Sequence, residues 1–169
     1  AFCLVRGALL PVVRLHPKIK GVSGTASPEV PLVSFNEPAF ESYGKEQGYN
    51  APTSEDAAGK YTAALSALLD RNSSRNRLSR GIGDATVVFW ADTSRTVNED
   101  GAQAAEDWFS AWVEPPDDAD EARKVREGLE LVLEGRPVED LDPRLCAGTR
   151  FHVLGLAPNA ARLSVRYWL

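Results

Sequence analysis

Ala85-Thr-Val-Val-Phe-Trp-Ala91 is the stretch on which the fold turns. β-Branched and aromatic residues follow one another almost without a polar break, which predicts a strand covered on both faces and therefore central in a sheet. On its C-terminal side the chain predicts a hairpin. Arg150-Phe-His-Val-Leu-Gly-Leu156 and Arg162-Leu-Ser-Val-Arg-Tyr-Trp168 are strand-like. Ala157-Pro-Asn-Ala160 joins them, with proline and asparagine suited to the middle of a β-turn. In the second strand Leu163, Val165 and Tyr167 alternate with Arg162, Ser164 and Arg166, which predicts one apolar face. On the N-terminal side, Phe2–Val5 and Pro11–Leu15 read as a first hairpin around Gly7-Ala-Leu-Leu10, and Val30–Phe35 returns to strand character.

Three helices are predicted among these strands. Pro52-Thr-Ser-Glu-Asp56 is a helix start, with Thr53 and Asp56 at capping-box spacing, ahead of Ala57, Tyr61, Leu65, Leu68 and Leu69. Ala102, Ala105, Phe109 and Trp112 form an apolar stripe that ends at Pro115-Pro116. Asp118 and Glu121 open the third helix, whose apolar positions run from Ala122 to Leu133 and which Gly135 and Pro137 close. The fold class expected is α+β: a mainly antiparallel β-sheet with two or three helices packed on it. The expected sheet uses the first hairpin, Val30–Phe35, Ala85–Ala91 and the final hairpin.

Composition narrows the function. The chain has 169 residues, a net charge of -5 and a pI near 5.1, which excludes a generic nucleic-acid-coating domain. Residues 1–169 are read as one α+β domain whose acidic helical part, about 101–142, repels a polyanion. No apolar run reaches the ~20 residues of a membrane helix, so no membrane partner is expected. Cys3 and Cys146 make no disulfide framework, which suits a reducing cytoplasm.

The tests for catalysis find little. Cys3 and His16 are candidates for a thiol–imidazole pair across the first hairpin, but Cys3 sits in an apolar run where a structural cysteine is expected. Cys3, His16, Cys146 and His152 match no compact zinc-site spacing. Gly81-Ile-Gly-Asp84 precedes a strand, whereas a dinucleotide loop follows one. Asp92, Glu99 and Asp100 are read as solvated loop acids and the tryptophans mainly as core. No metal, cofactor or catalytic residue is expected, and the chain is read as non-enzymatic.

One long loop stands apart. Leu32-Val-Ser-Phe-Asn-Glu-Pro-Ala-Phe-Glu-Ser-Tyr-Gly44 continues through Lys45-Glu-Gln-Gly-Tyr-Asn-Ala-Pro52. Its amides, hydroxyls, ammonium group and aromatic rings, broken by glycines, are what a surface gripping nucleic acid needs. Upstream, Lys18 and Lys20 flank Ile19 in a segment predicted extended, which puts both ammonium groups on one side. Downstream, Asp70–Gly81 holds Arg71, Arg75, Arg77 and Arg80, the most basic stretch in the chain. The expected nucleic-acid contacts are therefore Lys18, Lys20, Asn36, Lys45, Gln47, Asn50, Arg71, Arg75, Arg77 and Arg80: the lysines and arginines on phosphate or backbone, the amides on base edge, sugar or minor groove.

Several motifs in order carry a resemblance. They include Cys3-Leu-Val-Arg-Gly7, His16-Pro-Lys-Ile-Lys-Gly-Val22, Leu32-Val-Ser-Phe-Asn36 and Phe40-Glu-Ser-Tyr-Gly-Lys-Glu-Gln-Gly48. Asn50-Ala-Pro52, Tyr61-Thr-Ala-Ala-Leu65, Ile82-Gly-Asp84, Thr86–Ala91 and Leu154–Trp168 follow. Together they resemble the large subunit of the type I-C (Dvulg-subtype) CRISPR surveillance complex, almost end to end. Glu114–Leu145 is the least distinctive part, and Arg6 stands where that family more often has threonine. The resemblance implies an internal fragment of a longer, non-catalytic, cytoplasmic subunit used in antiviral defence. It implies crRNA-containing effector subunits, target double-stranded DNA and a CRISPR helicase-nuclease as partners, with a role in detecting the protospacer-adjacent motif. The competing readings are a subunit-docking scaffold that touches no nucleic acid, and a small hydrolase built on Cys3 and His16.

Overall fold

The computed structural model describes residues 1–72, 75–92, 99–145 and 148–169. Cys146 and residues 93–98 of the loop expected between Asp92 and Asp100 lie outside them. The elements in order are β1 (Phe2–Cys3), β2 (Ala8–Leu9), β3 (Lys18–Lys20), β4 (Glu29–Pro31), α1 (Glu55–Leu69), β5 (Thr86–Asp92), α2 (Glu99–Val113), α3 (Ala119–Leu133), β6 (Arg150–Asn159) and β7 (Arg162–Trp168). Short 3-10 turns occupy Pro38–Phe40, Gln47–Asn50 and Val138–Asp140. All strand pairs are antiparallel, so the α+β class holds.

The expected single sheet is instead three sheets: β1 with β2, β3 with β4, and β5-β6-β7. In the largest, β6 is central and β5 is an edge, contrary to the reading of Ala85–Ala91. Its continuous apolar character has another cause. Leu78 N donates to Val87 O and Phe89 N to Asn76 O, so the 76–78 segment seals the open edge. Both faces are covered as well. On one side α1 and the β3–β4 hairpin bury Ile19, Val30, Leu65 and Leu69 against Val88, Leu154 and Leu156. On the other, Phe109 from α2 packs on Val87, Phe89 and Val153.

Three local expectations are corrected. Pro11–Leu15 is not a strand: Cys3 pairs with Ala8 and Phe2 with Leu9, and Val12 makes only an isolated bridge to Ser54. Ser54, not Thr53, caps α1, its hydroxyl accepting from Ala57 N at 3.2 Å. The last turn is Asn159–Arg162, with Ala160 at φ 51°. Pro158 stays inside the ladder opposite Leu163, where β6 has run past its β5 partners and a missing N–H costs nothing on that side.

A bulge reshapes β7. The register shifts beside Gly155 and Leu156, pairing Leu156 with Val165 but Gly155 with Tyr167. Tyr167 therefore joins the Phe89 side of the sheet, while Leu163 packs on the Val88 side. Glycine at 155 makes room, because a Cβ there would lie 2.6 Å from Tyr167 Cε1 and closer still to Cζ. Gly128 does the same for α2 and α3: its Cβ would lie 2.6 Å from the Trp108 ring. Close helix packing explains a glycine in a helix interior, where it otherwise costs about 0.5–1 kcal/mol relative to alanine. At the start of α3, Asp118 Oδ1 accepts from Asp120 N and Glu121 N, the expected cap. Among the described residues no helix is long and apolar enough to cross a membrane.

Candidate nucleic-acid interface

The 32–52 loop is cross-linked by its own polar groups. Asn50 Oδ1 accepts from Ser42 N at 2.9 Å, and its Nδ2 donates to Lys45 O and Gln47 O at 2.9 and 3.1 Å. Glu41 Oε1 accepts from Gln47 N at 3.1 Å. The loop is also fastened to the rest of the chain at two points. Gly48 N donates to Arg14 O at 2.9 Å, and the Arg162 guanidinium lies 4.3 Å from the centre of the Phe40 ring. Tyr43, at the far end of the loop, is 97 % exposed and holds φ at 55°.

Fastening the loop this way forms a cleft. Its lining includes Arg14, His16, Lys18, Asn36, Gln47 and the apolar Val33 and Phe35. Its volume is about 230 Å³. Arg14 Nη1 donates to Gln47 Oε1 at 2.9 Å, which ties the loop to the segment leading into β3. His16 is buried, its Nδ1 2.9 Å from the Tyr61 hydroxyl of α1. Burial lowers the imidazole pKa below its ordinary 6.5 by disfavouring the charged ring. No residue lining the cleft is acidic, in a chain with 24 acidic and 19 basic residues.

The sequence-predicted contacts divide into groups. Lys18, Asn36 and Gln47 are brought together in the cleft. Lys20 shares the exposed side of β3 with Lys18, as its spacing predicts, and pairs with Glu29 at 3.7 Å in a largely solvated contact. Lys45 borders a separate cleft with Phe2 and Tyr49. The Asn50 amide is occupied within the loop, which makes it a positioning residue for the cleft.

The arginine stretch scatters. Arg75 pairs with Glu106 and Asp107 of α2 at 3.7 and 3.8 Å, and Arg80 N donates to Glu114 Oε1. Arg71 Nη2 and Arg77 Nη2 reach Ser23 Oγ at 3.0 and 3.4 Å. Arg77 Nη1 also donates to Gly21 O and Leu69 O, each at 2.7 Å. It thereby ties the end of α1 to the strand that carries Lys18 and Lys20. Desolvation lowers its pKa, with Arg71 adding to the effect. Arg77→Ala is expected to cost about 1.5–3 kcal/mol, the range for hydrogen bonds to a charged group. Chemical denaturation of Arg77→Ala and Arg77→Gln checks this; no change in midpoint for either would assign Arg77 to solvent.

Arg14 and His16 were not among the expected contacts. The signal was present: Arg14, His16, Lys18 and Lys20 recur at every second position. His16 instead entered as a catalytic candidate with Cys3. That pair is not formed. Cys3 is fully buried and its Sγ accepts from Ser54 N and Arg6 N at 3.1 and 3.4 Å. Burial raises its pKa, but hydrogen bonds led by Ser54 outweigh it and bring it down to about 7. The rings of His152, Trp90 and Trp168 form a triangle with centres 5.3–5.4 Å apart, and no metal-binding group of His, Cys, Asp or Glu occurs among the described residues.

The family model described as CRISPR-associated protein (Cas_Csd1) matches residues 1–169. No curated protein matches the chain.

Proposed function

This chain belongs to the Cas_Csd1 family of CRISPR-associated proteins, and from that membership we propose that it is a non-catalytic part of the type I-C effector complex. In this reading it contacts target double-stranded DNA beside the protospacer-adjacent motif and helps assemble the complex. The observation that carries it is the cleft at the foot of the 32–52 loop, where Arg14, Lys18, Asn36 and Gln47 converge with no acidic neighbour in the lining. Base pairing to the guide would read the rest of the target, leaving the protein a short duplex tag. Lys18 and Lys20 act as phosphate contacts, Asn36 as a base-edge or sugar contact, and Asn50 sets the loop's shape. Arg71 and Arg77, gathered on Ser23, form a second cationic point.

The test is salt-dependent binding of tagged and untagged duplexes to the assembled complex. Lys18→Ala/Lys20→Ala is expected to weaken every duplex alike and to flatten the plot of log affinity against log salt by about 2, one per phosphate contact. Asn36→Ala is expected to narrow the gap between tagged and untagged duplexes by about 1–3 kcal/mol. If both variants bind every duplex like wild type, the cleft does not touch DNA. The scaffold reading rests on the chain's net charge of -5 and on Arg75 pairing with Glu106 and Asp107 of α2. It predicts that unchanged result, together with normal assembly.

A further inference from the structure

The tip of the 32–52 loop holds an aromatic ring where the fold gains nothing from it. Tyr43, at 97 %, is the most exposed of the large hydrophobic side chains among the described residues. Its backbone is strained all the same. Lys45 N donates to Ser42 O at 3.0 Å across the turn, and Tyr43 and Gly44 between them have φ of 55° and 64°. Two successive positive φ values belong to the mirror-image turn that favours glycine, asparagine and aspartate. Glycine fills the second position, but a bulky aromatic in the first is an outlier. Such strain persists only where the surrounding structure over-determines it, and it gathers at sites that bind or react.

The surroundings do over-determine this turn. Asn50 grips both ends of it, its Oδ1 accepting from Ser42 N and its Nδ2 donating to Lys45 O, each at 2.9 Å. The backbone beneath the ring is therefore fixed while the ring itself lies in solvent. A tyrosine presented this way has little freedom left to lose when a partner meets it, which favours binding. Gln47 repeats the pattern: its φ is 46°, and it lines the cleft. The two are among only three non-glycine residues with positive φ in the described part of the chain. Strain in this loop thus falls on one residue of the cleft and on one ring at the tip.

We propose that the Tyr43 ring is a stacking platform for one unpaired base of a nucleic acid, with Lys45 beside that nucleotide's backbone and Asn50 as the positioning residue. A ring on a rigid turn needs a flat face to meet. Inside a duplex those faces are covered by the neighbouring base pairs, so the base it takes is a single-stranded one. Base–aromatic stacking tolerates any sequence, because every base has a π-face. Tag reading therefore stays with the cleft. This deepens the DNA-contact reading above and rests on it: duplex at the cleft, unpaired strand at the tip.

The experiment titrates the assembled complex with a short single-stranded oligonucleotide that has no complementarity to the guide and carries a fluorescent adenine analogue quenched by stacking. Wild type and Tyr43→Phe are expected to quench it alike, since the ring and not the hydroxyl does the stacking. Tyr43→Gly is expected to bind about tenfold more weakly and without quenching. Glycine accommodates a φ of 55°, so this variant removes the ring without straining the turn, and assembly is expected to stay intact. Wild type that does not quench, or Tyr43→Gly that quenches equally, overturns the platform; tagged duplex still bound as before then spares the DNA reading. Quenching that depends on Tyr43 in a complex that ignores tagged duplex keeps the platform and overturns the duplex reading. A Tyr43→Gly complex that loses a subunit assigns the ring to a protein contact and overturns the platform.

Discussion

Phe89→Ala is expected to lower the unfolding free energy by about 3–5 kcal/mol, the range for removing a buried aromatic side chain. Phe89 has no exposed surface and lies at the middle of β5. Its ring meets Phe109 of α2 at 4.8 Å between centres and Phe151 of β6 at 5.9 Å, so one side chain joins the sheet to the helix layer. Truncation leaves a void beside both neighbouring rings. A loss of that size is a large share of the ~5–15 kcal/mol that holds a typical domain folded. Chemical denaturation followed by tryptophan fluorescence measures it, since Trp90 follows Phe89 in the strand. A loss below about 1 kcal/mol would mean that α2 does not rest on Phe89 in solution.

The second large effect is on binding. In a Gly48→Ala variant the new Cβ would lie 2.8 Å from Arg14 O and closer still to Val13 O, both rigid backbone atoms. Real Cβ atoms essentially never approach within 3.0 Å of a heavy atom, so the loop must lift. Lifting breaks the Gly48 N to Arg14 O bond and separates Arg14 from Gln47, each held at 2.9 Å. Overpacking of this kind costs about 1–3 kcal/mol in stability. The larger consequence is that the cleft loses one wall. Tag-specific duplex binding by the assembled complex is expected to fall to the level of an untagged duplex, while helix content by circular dichroism is unchanged. Wild-type discrimination in Gly48→Ala would show that tag reading does not depend on the seated loop.

These effects separate what is written locally from what is not. The three helices were legible because their signals are short-range: apolar residues every three or four positions, an acidic or hydroxyl cap, a glycine or proline at the end. The Asp118 cap and the closing Gly135, at φ 74°, occur as read. The exposed flanks of buried Ile19 followed equally from the period of two in Lys18-Ile-Lys20. Strand order was not legible. An edge strand sealed by Leu78 N and Asn76 O has the same composition as a central strand, because hydropathy records burial and not the identity of the covering group. The β7 face also escaped, since a one-residue bulge reverses every side chain beyond it.

The candidate site divides the same way. The sequence by itself determined that the chain is α+β, acidic overall, and carries a polar, glycine-broken loop between a strand and a helix. It also placed Lys18, Asn36 and Gln47 among the groups to watch. Only the tertiary structure decided which of ten scattered polar residues share a surface. It brought three of them to one cleft with Arg14 and His16, and turned Arg75 toward α2 and Arg77 onto backbone carbonyls. The physical reason is that a side chain's charge is local, whereas its partners are chosen by packing across long sequence distances. Gln47 meets Arg14 across 33 residues, and His16 meets Tyr61 across 45.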